Sequence, residues 1–136
     1  MYLIKKIVIL IMTFSVYLSS SDSINDFVPN SKKAISIYAD KKKEALEINF
    51  KLHEGVYVYK NKIKVKQEKL SKPFIILGEI TFVKDNFFGP QPILEKDFIL
   101  SLNLSDIISK GYLYLEYQGC FENSFCYNKE EKKISY

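Results

Sequence analysis

Cys120 and Cys126 are the only cysteines in the chain, and five residues separate them. That spacing lets both sulfurs sit at the ends of one loop or hairpin and meet at disulfide distance. Two chemistries fit. The pair could be a structural clip, although closing a seven-residue loop is worth only about 2.4 kcal/mol in the chain-entropy picture, roughly half what a long loop offers. It could instead cycle between dithiol and disulfide, with a thiolate attacking a disulfide sulfur. An immunoglobulin-type staple would join strands distant in sequence, beside a buried Trp. Here there is no Trp and both cysteines lie near one end. A short-range pair that adds little stability suits redox work better, but spacing alone leaves both readings open.

Aromatic residues are the next candidates. In Val56-Tyr57-Val58-Tyr59 the strand period places both tyrosines on one face. In Asp85-Asn86-Phe87-Phe88-Gly89-Pro90 two phenylalanines stand side by side between turn residues. Apolar side chains on a loop are unfavourable unless they cover something. They could plug the end of the core or act as a lid over the disulfide, excluding water and stray thiols until a partner docks. The single histidine, His53, lies at a turn without ligating residues at metal spacing, so no zinc or copper site is expected. No glycine-rich phosphate loop or Gly-x-Ser-x-Gly elbow is present, which removes the minimum parts of nucleotide-binding and hydrolase readings. Every basic residue is lysine. Bidentate recognition of bases and phosphates favours arginine, so nucleic acid is not an expected partner.

The elements that must position these groups read as strands. Leu46, Ile48, Phe50 and Leu52 alternate with polar neighbours, as do Ile63 and Val65; Leu100, Leu102 and Leu104 share one face, and Leu113, Leu115 and Tyr117 another. Shorter candidates are 35–38, 56–60, 79–83 and 132–136. Turn signals fall at Glu54-Gly55, Lys60-Asn61, Ser71-Lys72-Pro73, Gly89-Pro90 and Lys110-Gly111. Only 104–110 could form a helical turn of any length. Short strands at this spacing predict an all-β fold, an antiparallel immunoglobulin-like sandwich. The lysine runs at 41–43 and 132–133 read as solvated strand ends.

The first residues look separate from that fold. A basic start with Lys5 and Lys6, an apolar run from Ile7 to Leu18 and then Ser19-Ser20-Ser21 follow the secretory signal pattern over 1–21. About a dozen apolar residues is short of the roughly 20 that span a bilayer, although retention as an anchor is the alternative. Residues 22–136 then form one exported domain, opening on a polar, mobile lead-in over 22–33. Without the signal, 18 lysines face 16 acidic residues, and disulfides can form outside the cytoplasm.

Taken together, three motifs resemble the N-terminal periplasmic domain of DsbD-type thiol:disulfide interchange proteins. They are Tyr117-Gln118-Gly119-Cys120, followed five residues later by Cys126-Tyr127; Glu54-Gly55-Val56-Tyr57-Val58-Tyr59-Lys60; and the loop Asp85-Asn86-Phe87-Phe88-Gly89. The resemblance implies an immunoglobulin-like sandwich with a cap loop over a redox-active cysteine pair and no further cofactor. It implies a monomeric periplasmic domain that takes reducing equivalents from a membrane-embedded electron donor. Its acceptors would be thioredoxin-like periplasmic proteins, among them a disulfide isomerase and the reductant of cytochrome c maturation. Cys126 would form mixed disulfides and Cys120 would resolve them. Phe87 would shield the pair, with Asp85, Phe88, Tyr57 and Tyr59 lining the site. Glu122, between the cysteines, would raise the thiol pKa if it faces them. Three positions depart from the pattern: Asn86 replaces a second acid, Phe88 a tyrosine, and Asn128-Lys129 a Pro-Pro. Family members also usually continue into a membrane domain and a thioredoxin-like domain. The competing reading is a secreted binding module whose disulfide is only a clip.

Overall fold

Alternation places the strands. In β2 (Ala45–Leu52), Leu46, Ile48 and Phe50 are buried while the residues between them are half-buried. In β9 (Phe98–Asn103), Phe98, Leu100 and Leu102 are buried in the same rhythm. The two pair antiparallel, with Ile48 opposite Leu100 and Phe50 opposite Phe98. The computed structural model describes residues 28–86, 88–108, 111–122 and 124–136. The expected signal segment, 1–21, lies outside the described residues.

The remaining strands are β1 (Ile35–Lys41), β3 (Val56–Tyr59), β4 (Lys64–Gln67), β5 (Leu70–Ser71), β6 (Ile75–Leu77), β7 (Thr81–Asp85), β8 (Gly89–Leu94), β10 (Tyr112–Tyr117), β11 (Gly119–Phe121), β12 (Phe125–Cys126) and β13 (Glu130–Ser135). Among the described residues the strands form three antiparallel sheets, ordered β1-β2-β9-β6, β13-β10-β4-β5 and β12-β11-β3-β8-β7. Apolar faces of all three meet in one core, where Phe50 stacks on Phe98 at 4.3 Å and meets Tyr117 edge-on at 5.6 Å. The fold is the expected all-β, immunoglobulin-like sandwich.

Local departures from the sequence reading have physical causes. Of the lead-in, residues 22–27 lie outside the described residues, and the rest is tied down: Asn30 caps a four-residue helix, α1 (Ser31–Ala34), accepting from the Lys33 amide at 3.0 Å, and the Tyr127 hydroxyl donates to the Pro29 carbonyl at 2.7 Å. Of the helical turn expected over 104–110, the described residues form one 3-10 turn, Leu104–Asp106, and residues 109 and 110 lie outside them. Lys60 is not in β3 but opens a second 3-10 turn, Lys60–Lys62. The strand expected at 79–83 is displaced to Thr81–Asp85, and the segment read only as a Gly89-Pro90 turn begins β8. Pro90 and Pro92 pair with Lys84 and Phe82 of β7, whereas β3 reaches only Ile93 and Leu94. The prolines therefore sit where β8 has a neighbour on one side only, as their missing N–H requires.

Candidate functional site

The strand period splits β3 between two environments. Val56 and Val58 enter the main core, while Tyr57 and Tyr59 point into a second, smaller cluster with Ile93 and Cys120, against which Val83 and Cys126 pack. Cys120 on β11 pairs with Tyr57 on one side and with Cys126 of β12 on the other, so the sulfurs face each other across a hairpin. They form a disulfide with Cα atoms 3.9 Å apart. Cys120 is fully buried, whereas Cys126 is half-buried on an edge strand of only two residues.

Gly119 makes this approach possible. A Cβ there would lie 2.9 Å from the Tyr57 carbonyl oxygen and 2.8 Å from Ile35 Cδ1, so β11 sits against β3 only because the side chain is absent.

Hydroxyl and carboxyl groups organise the space beside the sulfurs. Tyr57 and Tyr59 both donate to Asp85 Oδ2, Tyr57 at 2.5 Å, and Asp85 is itself buried. The Tyr59 hydroxyl is also 3.2 Å from Cys120 Sγ and 3.7 Å from Cys126 Sγ. Burial, reinforced by the Asp85 hydrogen bond, pushes the Tyr57 phenol up to about 12 and raises that of Tyr59 further. Both stay neutral donors at physiological pH.

The loop after β7 is fastened to the same acid. The Phe88 amide donates to Asp85 Oδ1 at 3.0 Å, and Gly89, with φ +72°, closes the turn back into β8. The Phe88 ring meets Tyr59 edge-on at 5.1 Å, and the Lys62 ammonium lies 4.8 Å from its centre. Phe88 nevertheless stays 41% exposed, so the cover it gives is partial. Phe87 lies outside the described residues.

The structure thus brings Cys120, Cys126, Asp85, Tyr57, Tyr59 and Phe88 together. Glu122 is different: it is exposed, its amide donates to the Gly55 carbonyl at 2.7 Å, and it lines a neighbouring cleft with Gly55, Tyr57 and Glu95. Asp85 is the acid set beside the sulfurs. Donor atoms of Asp85, Cys120 and Cys126 lie within 4.8 Å of one another. With both sulfurs bonded together, neither is a thiolate able to hold a metal. His53 is remote in chemistry as well, its Nδ1 lying 3.0 Å from the Glu54 carbonyl oxygen at the surface. Sequence reasoning missed Val83, Ile93 and Lys62. For the first two the signal was present, as apolar residues on strands flanking the tyrosines; for Lys62 there was none.

The model of the family described as "Thiol:disulfide interchange protein DsbD, N-terminal" matches residues 25–136. The DsbD protein of Colwellia psychrerythraea is 27% identical over 121 residues, covering 89% of this chain and 20% of the relative. That of Escherichia coli K12 is 23% identical over 130 residues, covering 94% of this chain and 23% of the relative. The chain therefore spans about a fifth of the curated relatives it matches. Among solved structures, the reduced N-terminal domain of Neisseria meningitidis DsbD superposes with a TM-score of 0.62 at 24% identity, over 82% of this chain and 90% of that one. The same domain in complex with the N-terminal domain of PilB gives the same score. With a family model matched from residue 25 to the last residue, this chain belongs to the family of DsbD N-terminal domains.

Proposed function

We propose that this chain is a thiol-disulfide exchange domain that passes reducing equivalents through Cys120 and Cys126 to thioredoxin-like proteins of the periplasm. The observation that carries the reading is the asymmetry of the pair. Cys126 is half-buried on a short edge strand, and Cys120 is sealed beneath it against Tyr59. Exchange needs access to the sulfur that reacts, so Cys126 meets the partner.

In the reduced state the Cys126 thiolate attacks a sulfur of the partner's disulfide, forming a mixed disulfide and releasing one partner thiolate. The Cys120 thiolate then attacks Cys126, restoring the disulfide and releasing the second partner sulfur. Two electrons and two protons pass to the partner. In the dithiol the Tyr59 hydroxyl oxygen accepts from the Cys120 thiol, while its own proton goes to Asp85, which fixes that hydroxyl in place. Phe88, set against Tyr59, partly covers the pair until a partner docks. A membrane-embedded donor, whether on the same polypeptide or a separate one, restores the dithiol. A disulfide isomerase and the reductant of cytochrome c maturation are the proposed acceptors, and the domain works as a monomer. The PilB complex of the Neisseria relative supports a protein as the docking partner.

The test is a trap. Cys120→Ala leaves Cys126 unable to be resolved, so mixed disulfides with exported proteins accumulate and can be isolated without reductant. Recovery of thioredoxin-fold partners is the expected outcome. Recovery of none, with the variant folded, would leave the disulfide as a clip in a binding module.

A further inference from the structure

Glu116 is a buried acid that the exchange chemistry leaves unused. Its neighbours Leu115 and Tyr117 face the core, so Glu116 lies on the outer face of β10, yet its side chain is only 5% exposed. Lys66 of β4 hydrogen-bonds Oε1, and the Lys129 ammonium stands 2.7 Å from Oε2. Glu116 is four residues ahead of Cys120, and Lys129 is three residues past Cys126. The ion triad therefore joins the two arms of the hairpin that carries both sulfurs.

The hairpin needs such a joint. Tyr117 pairs with Glu130, and Cys120 pairs with Cys126, so two residues on the outgoing arm (Gln118 and Gly119) face three on the return arm (Tyr127, Asn128 and Lys129). This bulge interrupts the ladder as the chain leaves one sheet for another, and bulges re-aim side chains. Within it the Tyr127 amide reaches the Gly119 carbonyl at 2.9 Å, and Gln118 Nε2 reaches the Tyr127 carbonyl at 3.1 Å. Lys129, turned back by the bulge, reaches across to Glu116.

We propose that Glu116, gripped by Lys66 and Lys129, is a positioning residue for the cysteine pair: it holds the bulged hairpin shut, so that the two thiols remain opposite each other after the disulfide opens. This inference rests on the exchange reading above. Closing a disulfide between two held thiols is an intramolecular step, and its equilibrium follows the effective concentration of one sulfur at the other. A hairpin free to spread lowers that concentration and makes the disulfide easier to reduce.

The test equilibrates the purified full-length chain with glutathione. The two protein thiols give two electrons and two protons to glutathione disulfide, yielding the protein disulfide and two molecules of glutathione. Lys129→Met and Glu116→Gln are each expected to lower that equilibrium constant about tenfold, a potential about 30 mV less negative. Lys96→Met, which breaks the exposed pair with Glu79, is expected to change nothing. Lys129 is 58% exposed, so its variant folds even if Glu116→Gln does not. An unchanged constant in Lys129→Met overturns the proposal, whatever happens to stability. Failure of the exchange reading looks different: the Cys120→Ala trap is empty while the glutathione constant still shifts.

Discussion

At the residue scale the centre of the site is one hydroxyl. Tyr59 touches Asp85 and both sulfurs, so removing its oxygen strips a donor from a buried carboxyl group and a partner from Cys120. Tyr59→Phe is expected to lower stability by about 1–3 kcal/mol, read as the urea midpoint of the oxidised protein. No change would mean that the donors left on Asp85, among them Tyr57 and the Phe88 amide, satisfy it without Tyr59. Titration gives a second check. Tyr57 has a folded pKa of about 12 against an ordinary value of 10, so above pH 10 the unfolded chain loses a proton that the folded one keeps. Its contribution is intact below pH 10 and lost as pH rises toward 12. Glu116 behaves oppositely, because Lys129 and then Lys66 hold its carboxyl at about 2, below the ordinary 4.5. Its contribution is present above pH 4.5 and lost as pH falls toward 2. Glu116→Gln should flatten that acid limb in pH-dependent unfolding and leave the alkaline limb alone.

Elements carry the site's precision. Gly119→Ala pushes a methyl group against the Tyr57 carbonyl, a backbone atom that cannot turn aside, and is expected to cost about 1–3 kcal/mol in chemical denaturation. A stability equal to that of the parent would show that β11 can retreat from β3. The same scale explains what the sequence disclosed. Period two placed Tyr57 and Tyr59 on one face, and the structure sets both on Asp85. The cysteine spacing implied a hairpin, and β11 and β12 form one. Period two failed at β8, because Pro90 and Pro92 read as breakers until one sees which edge of the strand lacks a neighbour. Nor could spacing predict the meeting of Glu116 and Lys129. It depends on a one-residue slip in register between β10–β13 and β11–β12, which exists only in the assembled sheets.

For the whole molecule, the main core and the site cluster are separate bodies of packing that share β3, β8 and β11. Opening the disulfide should therefore cost about 2.4 kcal/mol without dissolving the sandwich. The reduced chain is expected to keep its far-ultraviolet circular dichroism and unfold cooperatively at lower denaturant. A reduced chain without cooperative unfolding would show that the clip holds up the fold. By contrast, Leu100→Ala, in the middle of β9 and fully buried, should cost about 2–5 kcal/mol in either redox state.

The contact between Tyr59 and the sulfurs also has an optical consequence. The chain holds ten tyrosines and no tryptophan, so its near-ultraviolet emission belongs to tyrosine alone. A disulfide touching a phenol quenches that phenol, and in the dithiol the quencher is gone. The protein therefore carries its own label-free gauge of its redox state, readable in a cuvette as brightening on reduction, and Tyr59→Phe should dim the gauge.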